Sequence, residues 1–354
     1  MLLTAVSFVF VLGLVMFVHE LGHLIAARRA GITVLEFGFG YPPRLISLGV
    51  RDGVEYTINA IPFGAFVRML GEDGTAEPGS FASKSAWARI KTLAAGSLMN
   101  LLLAAVVFIG VALAGEQVAI GQVVVTGVAE GSPGALAGIQ ADDIIQSIGG
   151  QTVRNTSELV QRTQESLGTE VDLALLREGQ SLTVRVVPRA KPPAGEGAIG
   201  IGIAMVEGWQ VDTVKRSFGE AVVQGLRDTW SVVGLTISSF GQLFRGAVSP
   251  SELTGPVGLF QMSGVVARAG WVNVLRFMGF ISVNLFLLNL LPIPALDGGR
   301  IAFVLLEMLR GGKRMAPQRE GLVHLIGLIL LVGLMLLVSY YDVLRIASGQ
   351  NPLP

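Results

Sequence analysis

Apolar residues are concentrated in four separate runs along the chain, with polar and glycine-rich segments between them. The runs cover residues 2–27, 92–113, 277–291 and 322–338. About 20 helical residues cross the hydrocarbon core of a bilayer. The pattern therefore predicts four transmembrane helices, of which the third is broken by Pro292 and Pro294.

The first run is expected to be a retained helix rather than a cleaved signal peptide. A signal peptide has basic residues before its apolar stretch and a small-residue cleavage site after it. Here the chain starts with MLLTAV, and the basic residues Arg28 and Arg29 follow the run instead of preceding it.

Basic residues predict the orientation, because short loops rich in Lys and Arg stay in the cytoplasm. Such residues fill the segments between the first two runs and between the last two: Arg28, Arg29, Arg44, Arg51, Arg68, Lys84, Arg89 and Lys91, then Arg300, Arg310, Lys313, Arg314 and Arg319. Both segments are expected in the cytoplasm, with the chain termini and residues 115–270 outside.

Residues 221–244 are the segment that could alter this topology. They are moderately apolar and helical in pattern, but Arg227, Asp228 and several Ser, Thr and Gln residues interrupt them. We expect an amphipathic helix on the outer membrane surface. If the segment spanned the membrane instead, the third run would be inverted and the site argued below could not form.

Composition agrees with a membrane protein and excludes several chemistries. Of 354 residues, 51% are hydrophobic and only 15% are charged, whereas soluble domains have about 25% charged residues. The net charge is zero, so nothing indicates a nucleic-acid partner. The chain has no cysteine, which excludes disulfides, iron–sulfur clusters and thiolate metal sites.

Two of the three histidines lie in the first apolar run, in FVHELGH at residues 17–23. Positions i and i+4 share one face of a helix, so His19 and His23 can reach a common atom. Imidazole is a good zinc ligand, and Glu20 beside the pair is suited to act as a base on water. Ionisable residues inside a bilayer cost roughly 2.5 kcal/mol or more each, which favours a functional site over two helix-packing histidines.

A catalytic zinc site normally has three protein ligands, and Asp297 in NLLPIPALDGGR (residues 289–300) is the best candidate for the third. Pro292 and Pro294 each remove a helical N–H, so the backbone is expected to unwind there. Unwound backbone at membrane depth is tolerated inside protein or beside a wet cavity. A proline-kinked helix with an incidental aspartate is the alternative. His324 opens the fourth run, where interfacial packing is its expected role.

The expected depths of these residues agree with a shared site. His19 lies about 25 Å along an inward-running helix, at about 1.5 Å per residue. Asp297 follows Phe277 by about 20 residues on a second inward-running segment, which also places it toward the cytoplasmic side.

With these motifs, the chain resembles the site-2 protease family of intramembrane zinc metalloproteases, especially bacterial members with an extracytoplasmic PDZ domain. The resemblance covers nearly the whole chain, in the order HELGH, a glycine-and-asparagine motif, a PDZ-like insert, LTGPVGLFQ and NLLPIPALDGGR. It implies Zn²⁺ as the cofactor, with His19, His23 and Asp297 as ligands. It also implies that Glu20 is catalytic and that Asn289 contacts or orients the substrate peptide.

Two cytoplasmic-side elements are interpreted through the same resemblance. GSLMN at residues 96–100 is similar to the family's glycine–proline–x–x–asparagine element, with Ser97 in place of the proline. Asn100 is expected either to face the active site and substrate or to form a helix–helix hydrogen bond. Residues 33–69 alternate as strands do, with turn signals at 41–43 and 51–53.

Residues 33–69 are expected to form β-hairpins that dip toward the catalytic centre and pair with a substrate unwound to a strand. A plain cytoplasmic hairpin without substrate contact is the alternative. Pro292 and Pro294 are expected beside the metal, where they keep the local backbone open to such a substrate.

Residues 118–190 are predicted to be β-rich with short helices, and GSPGALAGIQADDII closely resembles bacterial PDZ domains. AIGIGI at residues 198–203 resembles the loop and strand that accept a peptide carboxylate in that fold. Gly200 and Ile201 are therefore candidate binding residues for a peptide with a free C-terminus. A steric cap that binds no carboxylate is the alternative.

The expected fold is a multi-pass α-helical membrane protein with a membrane-associated β-hairpin region on the cytoplasmic side and one extracytoplasmic PDZ-like α+β domain. The segments are transmembrane helix 1 (1–27), the hairpin region (28–91), transmembrane helix 2 (92–114), the PDZ domain (115–204), outer-surface amphipathic helices (205–270), the broken transmembrane helix 3 (271–309), a cytoplasmic loop (310–321) and transmembrane helix 4 (322–345).

The predicted function is intramembrane, zinc-dependent cleavage of single-pass membrane proteins in the inner membrane of a bacterium. Family similarity suggests pre-trimmed anti-sigma factors or remnant signal peptides as substrates. Two other classes stay open. One is a catalytically silent, membrane-anchored PDZ adaptor; the other is a metal transporter with His19, His23 and Asp297 as a transit site.

Overall fold

The computed structural model describes residues 1–72, 74–193, 195–206, 210–246 and 253–348, so parts of the predicted surface-helix region, 207–209 and 247–252, lie outside the described residues. The chain forms two compact units, one built from Met1–Ala114 with Arg216–Pro354 and the other from Gly115–Lys215. The helices are α1 (Leu2–Arg29), α2 (Ala86–Ala114), α3 (Pro133–Leu136), α4 (Thr156–Glu165), α5 (Phe218–Phe244), α6 (Pro256–Arg268), α7 (Trp271–Leu290), α8 (Asp297–Leu309) and α9 (Pro317–Ala347).

Four described helices, α1, α2, α7 and α9, are long and apolar enough to span a membrane. Their apolar surface is largely exposed, and only 11% of the most apolar stretch of α9 is buried inside the protein. Leaving such a surface in water would forfeit about 25 cal/mol per Å². The helices therefore fit a lipid environment, and the coarse expectation of four apolar helices combined with β-sheet regions is confirmed.

The helical unit is held together by close contacts between α1, α2 and α7. Val11 and Val15 of α1 are fully buried in a cluster with Phe277 and Met278 of α7. α5 also packs against α2, where the backbone of Gly225 contacts Ile109. Val233 of α5 joins a second buried cluster with Ala104 and Phe108 of α2. The segment expected on the membrane surface is thus in contact with a candidate transmembrane helix.

The hairpin region consists of two long antiparallel strands, β1 (Val34–Arg51) and β2 (Val54–Met69). Both strands fold back on themselves, because residues 34–39 pair with 65–69, residues 36–39 pair also with 55–58, and residues 44–51 pair with 54–59. Four segments therefore lie side by side, with 65–69 at one edge. The bend in β1 coincides with the turn signal at 41–43, and Asp52 and Gly53 have the positive φ of a tight turn.

The second unit contains β3 (Glu116–Ile120), β4 (Val123–Val128), β5 (Ile144–Ile148), β6 (Gln151–Thr152), β7 (Val171–Arg177), β8 (Gln180–Val186), β9 (Ile201–Met205) and β10 (Gln210–Val214). Its main sheet has the order β8-β7-β5-β4-β9, with β6 paired to β5. Alternate residues of these strands form one apolar core that includes Val123, Ile145 and Leu173. The unit extends beyond residue 204 because β10 pairs with β3.

Candidate active site

Three side chains from two distant segments converge at one point of the helical unit. His19 and His23 lie one turn apart on α1, and Asp297 is the first residue of α8. The Oδ2 atom of Asp297 is 3.1 Å from Nε2 of His19 and 3.3 Å from Nε2 of His23. The two Nε2 atoms are 3.2 Å apart.

Neighbouring groups on α2 orient both imidazole rings. Nδ1 of His23 lies 2.8 Å from the carbonyl oxygen of Thr92 and donates a hydrogen bond to it. Nδ1 of His19 lies 3.3 Å from the side-chain amide of Asn100. Asn100 is fully buried, and its backbone carbonyl accepts a 2.7 Å hydrogen bond from the hydroxyl of Ser282 on α7. Hydrogen bonds at Nδ1 leave Nε2 of each ring free to face Asp297.

The hydrogen bonds around Asn100 favour the orientation in which its side-chain amide is turned by 180°. As placed, Nδ2 faces Nδ1 of His19, and Oδ1 is buried without a hydrogen-bond partner among the described residues. Side-chain amide oxygen and nitrogen exchange places by a half-turn. With Oδ1 toward His19, the amide accepts the Nδ1–H hydrogen bond, and His19 presents its Nε2 lone pair.

Asp297 reaches the histidines because the chain unwinds between α7 and α8. α7 ends at Leu290, and α8 begins at Asp297. The carbonyls of the connecting segment fold back onto the first turn of α8, where Gly298 lies against Leu291 and Gly299 against Ile293. A side chain at either glycine would collide with this backbone. The two glycines therefore allow the turn that brings Asp297 into the site.

Glu20 is next to His19 on α1, and its carboxylate contacts the hairpin region. Oε2 of Glu20 accepts a 3.1 Å hydrogen bond from the backbone N–H of Val67. Val67 belongs to the edge segment of β2, and its pairing partner in β1 is Phe37. The outer edge of the sheet is therefore directly beside the Glu20 carboxylate.

The donor set fits a divalent cation. With His23 Nδ1–H donating to Thr92, its Nε2 carries a lone pair that faces Oδ2 of Asp297, an oxygen without a hydrogen-bond partner among the described residues. Three electron-pair donors 3.1–3.3 Å apart repel one another unless a cation lies among them. Bonds of about 2.0–2.2 Å to a tetrahedral zinc ion place donors about 3.3–3.6 Å apart. Two imidazoles and one carboxylate are ligands that zinc accepts.

The remaining residues singled out from the sequence lie in varied surroundings. Asn289 is half-buried near the end of α7, and Pro292 is exposed in the connecting segment. Pro294 packs against Gly327 of α9. His324, also on α9, accepts a 2.8 Å hydrogen bond at Nδ1 from the N–H of Ala295, which is a packing role and agrees with the sequence expectation.

Gly200 and Ile201 lie in the second unit, at the start of β9. Ile201 lines a groove of about 470 Å³ with Leu159 and Thr163 of α4. The N–H of Gly200 donates to the carbonyl of Gly197, and its carbonyl accepts from Ala129. The Gly200 N–H is therefore already hydrogen-bonded within the domain. The sequence analysis expected it to be available to bind a peptide carboxylate.

Two groups in contact with the site were not identified from the sequence, the Thr92 carbonyl and the Val67 N–H. Both are backbone groups and have no residue-type signal. Gly96 was identified only as part of the GSLMN motif, and its Cα lies against both imidazole rings. A glycine within an apolar helix indicates close approach of another helix.

Comparison with known proteins agrees with this geometry. The model of peptidase family M50 matches residues 7–334. A zinc metalloprotease RasP from Bacillus licheniformis is 31% identical, with 97% of this chain and 99% of the relative aligned. The regulator of sigma-W protease RasP from Bacillus subtilis is 29% identical over the same shares. A putative zinc metalloprotease from Clostridium perfringens is 35% identical over 82% of this chain and 84% of its own length.

The family match covers both the α1 histidines and Asp297, and several relatives are named zinc metalloproteases. Zinc is therefore the metal, and the chain belongs to peptidase family M50, as an intramembrane zinc metalloprotease of the site-2 protease type.

Proposed function

We propose that His19, His23 and Asp297 hold the zinc ion and that Glu20 transfers the protons of peptide hydrolysis. The observation that carries this assignment is the convergence of the three ligand atoms within 4.8 Å of one another, from α1 and from the start of α8. Glu20 is adjacent to His19 on α1. Among the described residues, its carboxylate forms no ion pair with a lysine or arginine.

Each group then has a separate role in the reaction. Zinc, when bound, supplies Lewis-acid activation of water and of the peptide carbonyl. The Glu20 carboxylate accepts a proton from water and later delivers it to the leaving amine nitrogen. The N–H of Val67 holds one carboxylate oxygen of Glu20 at 3.1 Å, which leaves the other oxygen for proton transfer. Asn100 keeps His19 in the tautomer whose Nε2 faces the metal.

We propose that the substrate binds as an extended strand beside Glu20. A transmembrane helix satisfies its own backbone hydrogen bonds, so its peptide bonds are poor targets until it unwinds. The edge segment 65–69 offers backbone groups for pairing, and Val67 fixes that edge next to Glu20. Asn289, Pro292 and Pro294, on the segment that leads to Asp297, are proposed to contact the unwound peptide from the other side.

We propose that the second unit is an extracytoplasmic PDZ domain that screens substrates. The excess of basic residues in the loops before α2 and before α9 supports an orientation with this unit outside and the metal toward the cytoplasm. The groove between α4 and β9 supports a peptide site, because β9 is the last strand of its sheet among the described residues and a peptide could pair with its outer edge. Ile201 would contact the apolar end of a peptide with a free C-terminus.

The proposed substrates are single-pass proteins of the bacterial inner membrane whose outer portion has already been removed. One relative is named as a regulator of sigma-W protease, which supports pre-cleaved anti-sigma factors as one substrate class. Remnant signal peptides are the second proposed class. Like the first, they are short apolar helices with only a small polar segment outside the membrane.

The test is the Glu20→Gln variant of the full-length protein, assayed with a reporter transmembrane substrate in detergent or liposomes. We expect cleavage to fall by about 10²–10⁴-fold, the usual contribution of a general acid–base group. Zinc content should stay equal to that of the unmodified protein, since glutamine replaces a residue that is not a ligand. Undiminished cleavage by the variant, or zinc transport across liposomes without any proteolysis, would refute the assignment.

A further inference from the structure

A charged cavity of about 500 Å³ lies in the helical unit, apart from the proposed zinc ligands, none of which lines it. Its walls are the first two turns of α2 and of α9, α8 from Arg300 onward, the loop after α8 and the loop that follows β2. Five basic side chains line it against three acidic ones, which leaves an excess of two positive charges: Arg89, Arg300, Arg310, Lys313 and Arg314 against Glu72, Glu307 and Glu320.

Two buried donors on this wall have no acceptor among the described residues. Arg89 is only 7% exposed at its side chain and donates from Nη2 to Glu307 at 2.7 Å, but its buried Nε has no partner. His324 accepts at Nδ1 from Ala295, so its neutral ring carries hydrogen on Nε2, which is also buried without a partner. An unsatisfied buried donor costs about 1–3 kcal/mol. Both groups therefore indicate a ligand with acceptor oxygens.

The ion pairs of the cavity leave part of its positive charge uncompensated. Glu307 is shared by Arg89 and Arg314, and Glu72 is paired with Arg300. Within the described part of the chain, no ion-pair partner is found for Arg310 or Lys313. These two side chains lie at the end of α8 and in the loop after it, where they are exposed at the mouth of the cavity.

Exposed leucines of α8 and α9 lie in or near the cavity. Leu306 lines the cavity and is 40% exposed. Leu322 and Leu325 flank His324 on α9 and are 56% and 52% exposed. A ligand that fits both surfaces has an anionic head for the arginines and long apolar chains for the leucines. Basic pockets between transmembrane helices are suited to phospholipid head groups.

We propose that this cavity binds the phosphoryl head group of an anionic phospholipid, whose acyl chains lie along α9. The phosphate oxygens accept from Arg310 and Lys313, which are exposed lining residues of the cavity. Arg89 Nε and His324 Nε2 have almost no accessible surface, so they donate to the phosphate only after these two side chains adjust. The lipid would thereby connect α8, which carries Asp297, to the first turn of α9.

The test uses the full-length, zinc-loaded protein in phosphatidylcholine nanodiscs with or without phosphatidylglycerol. Bound lipid is counted by native mass spectrometry, and thermal stability is followed in parallel. The variant Arg310→Gln/Lys313→Gln removes two cavity charges at exposed positions. The control Arg29→Gln/Lys91→Gln removes two charges from the corresponding ends of α1 and α2, where they line a different cavity.

We expect phosphatidylglycerol to remain bound to the unmodified protein and to the control and to raise their thermal stability. Binding to the cavity variant should weaken by about tenfold or more, because each basic residue near a lipid surface strengthens anion binding. Equal retention by the cavity variant and the control would overturn the proposal. Stabilisation by inorganic phosphate alone, in phosphatidylcholine, would overturn the lipid assignment in favour of a free-phosphate site.

Discussion

The Cα of Gly96 on α2 lies directly against the imidazole ring of His23 on α1. A Cβ atom at position 96 would be 2.7 Å from Cε1 of His23 and 2.9 Å from Cε1 of His19. Real Cβ atoms do not approach ring atoms so closely, so one of the two helices would have to move. The spacing of α1 and α2, and with it the position of both proposed zinc ligands, therefore depends on the absence of a side chain at residue 96.

Gly96→Ala is predicted to weaken zinc binding with little change in helix content. Forcing a methyl group into a packed site costs about 1–3 kcal/mol, which is about 5- to 150-fold in affinity if the displacement acts on the ligands. Chelator competition measures the affinity. Gly110→Ala is the matched control, because a Cβ at Gly110 on the same helix meets no atom within 4 Å. Equal zinc affinity in both variants would contradict the prediction.

Asn100→Ala is predicted to weaken zinc binding by about 10- to 100-fold, the usual effect of losing a partner of a metal-ligating histidine. The physical reason is that His19 loses the amide that fixes its tautomer and ring orientation. Ser97→Ala is the control, since Ser97 is equally buried on α2 and its hydroxyl has no hydrogen-bond partner among the described residues. If Asn100 acted only on the substrate, its loss would change cleavage and leave the zinc affinity intact.

Val67→Pro is predicted to lower kcat/KM by about tenfold or more with zinc content unchanged. Proline removes the N–H that binds Glu20, and a hydrogen bond to a charged group contributes about 1.5–3 kcal/mol. Val67→Ala keeps the N–H and loses only side-chain packing, so it measures the contribution of packing alone. Equal losses in the proline and alanine variants would show that the hydrogen bond to Glu20 has no catalytic role.

The convergence of the proposed zinc ligands was predictable because each part has a strong local signal. The histidines repeat at the helical spacing of four residues, and Asp297 follows two prolines that break the helix. Neither signal depends on the rest of the fold. The prediction that these side chains come together agrees with the structure, although Asp297 is 274 residues beyond His23 in sequence.

The contacts around the metal were less predictable, since they depend on tertiary packing. Val67 acts through its backbone N–H, and every non-proline residue has one. The packing of α5 against α2 also had no decisive sequence signal, because Arg227 and Asp228 fit a membrane surface as well as they fit the outer face of a packed helix. The contact of Gly225 with Ile109 shows that α5 and α2 approach closely. The glycine at position 225 did not by itself predict this contact.

The motif LTGPVGLFQ is proposed to have a structural role at the start of α6. The buried carboxylate of Asp342 on α9 accepts from the N–H groups of Gly255 and Gly258 at 3.0 and 2.8 Å. Arg345 donates to the carbonyl of Leu253 and to Asp342. Asp342 therefore satisfies two of the N–H groups that every helix start leaves without a partner.

Asp342→Ala is predicted to destabilise the contact between α6 and α9 by about 2–4 kcal/mol, since two buried N–H groups and the partly exposed Arg345 lose their partner. Hydrogen exchange of the full-length protein should show faster exchange at the start of α6. Asp342→Asn keeps one acceptor oxygen and should have a smaller effect. If hydrogen exchange at the start of α6 were unchanged in the alanine variant, the proposed structural role of the motif would be wrong.

The buried carboxylate of Asp143 organises the loop before β5 in the second unit. Asp143 is fully buried and forms two 2.7 Å hydrogen bonds with Arg177 of β7, and it also accepts from the N–H of Gln140 at 2.8 Å. The Arg177 guanidinium lowers the pKa of Asp143 below its ordinary value. A carboxyl with a lowered pKa stabilises the fold above its unfolded pKa, about 3.9 for aspartate, and this contribution is lost as pH falls through the folded value.

Arg177→Met is therefore predicted to destabilise the second unit at neutral pH, because the buried Asp143 carboxylate loses its cationic partner. The difference from the unmodified protein should shrink as pH falls from about 4 through the lowered pKa of Asp143, where its carboxyl becomes protonated in the unmodified protein as well. Hydrogen exchange of β5 and β7 in the full-length protein measures both effects.

The double variant Asp143→Asn/Arg177→Met leaves no unpaired charge and should lose less stability than Arg177→Met alone. A constant difference between the single variant and the unmodified protein across this pH range would mean that Arg177 contributes through packing and not through its charge.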